Sequence, residues 1–229
     1  DSLFVSDLHP TRRAIVIDEL LNRAENSQVS SIDRGDYILA IAELVEGLDK
    51  SKRRKYYERA FTLGNTPIVN EIEAVSSHLL GSSIRQGFSS PIGQQAEALY
   101  LAACLADRDD QRIDVKKRIY ELFGQDESSS YRLVRALQRL GESDFLNDDI
   151  GFLAGQDWGA RSLAAVLWVK HPNPAYVGYR LAHDPDVRVR KSFAGALADC
   201  EETPEHMEVR ELLRQDPHYS VRKSLQKKK

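Results

Sequence analysis

The chain is short of the residues that usually announce chemistry. Two cysteines in 229 residues, Cys104 and Cys200, exclude a disulfide framework, and their separation excludes the paired spacing of a zinc finger. No apolar run approaches the roughly 20 residues that a membrane-spanning helix needs. No stretch keeps the strict apolar–polar alternation of a half-buried strand. A Gly-rich phosphate loop, a Gly-x-Ser-x-Gly elbow and a His-Glu-x-x-His helix are all missing. On these grounds we expect no catalytic residues, no metal and no cofactor. Charge of one sign is missing too. The net charge is −3, which argues against a surface that is wholly a nucleic-acid footprint. Hydrophobic residues make up 41% and charged residues 29%, the balance of a folded, water-soluble chain. The expectation is a cytoplasmic protein with no membrane partner.

Methionine is nearly absent as well. Met207 stands alone, the first residue is Asp1, and the opening DSLFVSDLHP has neither the basic nor the apolar region of a signal peptide. The sequence therefore reads as a piece of a longer protein.

What is present is helical periodicity along almost the whole length. Ile15, Leu20 and Leu21 follow His9-Pro10-Thr11, a helix start. Tyr37, Ile38, Ile41, Leu44, Val45 and Leu48 form a second apolar face, with Ser31 or Asp33 as its cap. The basic run 50–55 (KSKRRK) opens a third helix that continues through Tyr57 and Phe61 and stops near Gly64. That run is read as a solvated helix end. A fourth helix is expected from Pro67 to Gly81. Residues 81–95 hold the densest Gly/Ser/Pro cluster and are the candidate seam. Short helices follow at about 95–106, 112–123, 129–140, 147–155, 157–170, 174–183, 187–200, 204–214 and 218–227. The expected fold is all-α, a single domain over 1–229 built as an α-solenoid of about six stacked antiparallel helix pairs.

One internal repeat is explicit. Asp184-Pro185-Asp186-Val187-Arg188-Val189-Arg190-Lys191-Ser192-Phe193 matches Asp216-Pro217-His218-Tyr219-Ser220-Val221-Arg222-Lys223-Ser224-Leu225 at an offset of 32. Val177 and Leu181 map onto Val209 and Leu213. A looser copy begins at Asp157-Trp158-Gly159-Ala160-Arg161, its turn two residues shorter. Val189, Phe193, Leu197, Val221 and Leu225 are the predicted core. A single helix pair cannot bury its own apolar face, so the pairs must stack.

This turn resembles the short bacterial form of the HEAT-like repeats, specifically over about 146–226. The resemblance implies a HEAT/armadillo-like superhelix with a ladder between successive repeats, built from Asp157/Arg161, Asp184/Arg190 and Asp216/Arg222. Helices before residue 126 lack the turn motif. The resemblance also implies a non-catalytic protein-interaction scaffold with a protein partner. Nucleic acid is the alternative partner, as for the HEAT-like alkylpurine DNA glycosylases, whose Trp and Asp Trp158 and Asp157 superficially match. A phycobilin-lyase-like chaperone is a third reading, which no residue here supports independently.

If second helices line a concave face, Arg161, Arg190 and Arg222, followed by Lys191 and Lys223, form a basic stripe suited to an acidic surface or phosphate. The competing reading assigns the arginines to the turn aspartates. Of the histidines (His9, His78, His171, His183, His206, His218), His206 lies together with Glu205 and Glu208. Those positions are expected to be solvated, so no metal site is expected. Cys104 and Cys200 are expected to be small buried residues without cationic activators. Trp158 and Trp168 are expected to pack between helices.

Overall fold

The helix Gly93–Leu105 explains how the N-terminal half is assembled. Its sequence, GQQAEALYLAACL, has no polar face, and every side chain but that of Cys104 is buried. A helix apolar all round must be enclosed by others. In the computed structural model, which describes residues 10–29, 31–66, 93–125, 130–201 and 203–226, four helices enclose it. We number the helices of the described residues in chain order. They are α1 (Pro10–Glu25), α2 (Ser31–Leu44), α3 (Lys50–Asn65), α4 (Gly93–Leu105), α5 (Asp109–Leu122) and α6 (Ser130–Leu137). The partners of α4 are α2, α3, α5 and α6, while α1 packs on α2 and touches α3. Gly64 lets α3 approach α4, since a Cβ there would lie 2.7 Å from Leu99 Cδ2. Most polar groups on α4 are answered: Gln95 donates to the Gly64 carbonyl (3.4 Å), and Glu97 pairs with Arg132 (3.0 Å), while Gln94 Oε1 is buried without a partner among the described residues.

The C-terminal half continues with a 3-10 turn (Glu142–Asp144), α7 (Asn147–Leu153), α8 (Trp158–Lys170), α9 (Ala175–Ala182), α10 (Val187–Ala198), α11 (Pro204–Arg214) and α12 (Tyr219–Ser224). Among the described residues there is no strand, and no helix is long and apolar enough to cross a membrane. The chain forms two compact units, Asp1–Leu140 and Gly141–Lys229. The expected fourth helix, and the seam candidate up to residue 92, lie outside the described residues. Residues 93–95 of that seam open α4.

In the second unit α10 packs against α8 and α12, and α11 packs against α9. Helices of alternate rank in the sequence are therefore neighbours in space. Val189, Phe193, Leu197, Val221 and Leu225 are all buried, as their spacing predicts. Trp168 is the largest buried side chain of this unit. Its Nε1 donates to the Pro174 carbonyl (3.0 Å), and Phe193 meets its ring edge-on at 5.4 Å. Gly178 on α9 faces the same indole so closely that a Cβ would overlap it.

Candidate functional site

Each second helix of the repeat begins with a cap, and four residues later comes an arginine. Asp157 caps α8 by accepting from Gly159 (2.7 Å) and Ala160 (3.2 Å). Asp186 caps α10 through Arg188 N–H (2.9 Å), and His218 caps α12 through Ser220 N–H (3.3 Å). The arginines at the matching position are Arg161, Arg190 and Arg222. Each turns Nη1 back onto its own turn, to the carbonyl of Gln156, of Asp184 or of Asp216. The other edge of the guanidinium reaches forward. Arg161 forks Asp184 (2.6 and 3.1 Å), and Arg190 forks Asp216 (2.6 and 3.4 Å). Both carboxylates are almost wholly buried, with side chains 4% exposed, while the arginines are 20% and 14% exposed. Asp184 and Asp216 each also accept the amide two residues on, at 2.8 and 2.7 Å.

This geometry refines the sequence alignment. Asp184 and Asp216 are the acceptors of the ladder. Asp157 occupies the cap position instead, equivalent to Asp186 and His218, because its turn is two residues shorter. Burial pushes the Asp216 carboxyl up, but the Arg190 fork and the His218 amide outweigh it and hold it below the ordinary range. Asp186 is held down to about 2, first by the hydrogen bond from Arg188.

The basic column accordingly divides. Arg161 and Arg190 are occupied by aspartates. Lys191 and Lys223 are exposed, and so is Arg222, which makes only backbone hydrogen bonds among the described residues. The position matching Lys191 in α8 is Ser162, so the exposed cations belong to α10 and α12 alone. Trp158 departs from expectation. It is 39% exposed, and the Arg188 guanidinium lies 3.8 Å above its ring. As the first residue of α8 it starts before the helix turns its apolar face inward. His206 departs in the opposite sense. It is buried, meets Trp168 edge-on at 5.7 Å, and its Nδ1 lies 3.0 Å from the Glu201 carbonyl. Glu205 bonds Thr203 Oγ1 and Glu208 bonds Tyr179 Oη, so the three side chains do not converge. No cluster of three metal-ligating side chains occurs among the described residues.

A second site lies in the first unit, and the sequence reading missed it. A cleft of about 920 Å³ opens between α2, α3, α4 and α6. Arg53 comes from α3, Tyr100 and Cys104 from α4, and Arg135 from α6, with Arg139 just beyond it. The basic run 50–55 is thus not uniformly solvated. Lys52 pairs with Asp49, Arg54 with Glu58 and Lys55 with Asp18, whereas Arg53 turns inward and donates to the Cys104 carbonyl (2.8 Å). Arg139 places Nε (3.0 Å) and Nη2 (2.6 Å) on the phenol oxygen of Tyr100. Arg135 lies over the Tyr100 ring at 4.8 Å. Cys104 therefore has cationic neighbours after all. Burial pushes its thiol up, and Arg139, Arg53 and Arg135 pull it back. Only the spacing of Tyr100, Cys104, Arg135 and Arg139, each pair four apart on one helix or its end, hinted at the meeting.

No family model matches this chain, and neither a curated protein nor a solved structure shows significant similarity to it.

Proposed function

We propose that the chain is a non-catalytic interaction module of HEAT-like type, and that the second unit binds an acidic protein surface through the exposed cations of α10 and α12. The observation that carries this reading is the iterated fork, Arg161 to Asp184 and Arg190 to Asp216. It ties each second helix to the next turn in one register, as the ladder of a repeat stack would, and so supports the reading. In a stack, matching positions form columns, and Lys191, Lys223 and Arg222 then form a short basic column on a chain of net charge −3. The ladder arginines Arg161 and Arg190 serve the stack rather than the partner.

The test uses Lys191→Glu/Lys223→Glu. The variant should melt with the parent, because both side chains are exposed. Capture of an acidic protein from the native source should be lost in the variant and should weaken with salt. Unchanged capture would reject the column. A labelled DNA duplex provides the second arm: binding that falls steeply with salt and disappears in the variant would assign the column to nucleic acid instead.

A further inference from the structure

The cleft of the first unit contains three guanidinium groups, Arg53, Arg135 and Arg139, and two carboxylates, Glu43 and Glu46. Arg53, Arg135 and Arg139 make no ion pair among the described residues. Elsewhere in this unit Arg23, Arg54, Arg59, Arg108, Arg118 and Arg132 each have one. The hydrogen-bond and ring partners of the cleft arginines are neutral, a carbonyl, a phenol oxygen and a ring face, while Arg135 also acts on the Glu97 carboxylate from beyond ion-pair distance. Arg53 Nε is buried and has no hydrogen-bond partner among the described residues. A buried donor without an acceptor is costly, and clustered cations repel one another, a repulsion that a bound anion relieves. The cleft's volume is that of small-molecule sites, and Leu39, Ala42, Val45, Ala103 and Ala106 supply apolar lining beside its charged groups.

We propose that this cleft binds a small phosphate monoester, with the phosphate on Arg53, Arg135 and Arg139 and the organic body against the apolar wall. Guanidinium forks match phosphate oxygens, and their three positive charges exceed the two negative charges of a phosphate dianion. Glu43 and Glu46 also line the cleft, exposed and outside ion-pair distance of the arginines. They offset part of the arginines' charge and oppose the anion. The inference rests on the first unit alone and is independent of the basic column of the second.

Cys104 lines the cleft and reports on it, with Cys200 as an internal reference. The full chain is alkylated with iodoacetamide, a neutral reagent, and each cysteine is followed by mass spectrometry. Millimolar phenyl phosphate should slow Cys104 by about threefold or more, by covering it and by neutralising the cations that favour its thiolate, and should leave Cys200 unchanged. Inorganic phosphate should protect only at higher concentration. The phosphorus resonance of phenyl phosphate, broadened by the chain, gives a direct second measurement. Arg135→Gln removes a side chain with no structural hydrogen bond and should abolish protection and broadening without changing the melt, whereas Arg54→Gln should leave both intact. Glu43→Gln should lower the concentration needed. Absence of protection and broadening in the parent, or their persistence in Arg135→Gln, overturns the site. Equal protection by the two phosphates overturns the organic body.

Discussion

Phe193 contributes a fully buried ring at the contact of α10 with α8, where it meets Trp168 edge-on. Phe193→Ala should therefore cost about 3–5 kcal/mol in denaturant unfolding, because neighbours on two helices cannot collapse into the void. A loss below about 1 kcal/mol would mean that the ring is not locked there. Gly178→Ala probes the same contact from the other side. A methyl group aimed at the indole should destabilise by about 1–3 kcal/mol despite alanine's better helix propensity, measurable as a lower melting temperature. Phe193 was legible in the sequence because Val189, Phe193 and Leu197 repeat at helical spacing. Trp158 and His206 were not. Whether a residue in a helix's first turn faces inward depends on how the preceding chain enters, and periodicity carries no information about that.

The ladder is a property of elements, since one arginine joins two helices that are distant in sequence. Arg190→Ala strands the buried Asp216 carboxylate and should cost about 3 kcal/mol or more. Acid should do the same from the other partner. The folded-state pKa values of Asp216 and Asp186 lie below their unfolded values. Their contribution is complete above the ordinary carboxylate range near pH 4 and is lost as pH falls below it, for Asp186 toward about 2. Thermal melts across that window should show the second unit weakening, and Asp216→Asn should flatten the slope. A slope unchanged in Asp216→Asn would remove this carboxylate from the account. The offset of 32 made the columns of Asp and Arg legible. It did not reveal which arginine forks which aspartate, nor that Asp157 is a cap, because pairing across repeats depends on the direction in which each side chain leaves its helix.

At the scale of the molecule, the all-helical class was legible from periodicity, and boundaries such as 204–214 coincide with the observed helix. The arginine cleft was not legible. Arg53 and Cys104 are 51 residues apart, and Tyr100 and Arg139 are 39 apart, so only packing around α4 brings them together. The division after Leu140 likewise has no compositional mark, since it follows from which helices share a core. The enclosure of α4 also affects isotope exchange. Ahead of the residues that line the cleft, α4 is covered by α2, α3, α5 and α6, and Ala96, Ala98 and Leu99 are wholly buried. Their amides should exchange last and at one shared rate, set by complete opening of the first unit, while amides on the exposed side of α1 exchange earlier. Mass-resolved exchange over 96–99 then measures the stability of that unit in water without denaturant, and a staggered exchange pattern among these amides would show that the helix can be uncovered piecemeal.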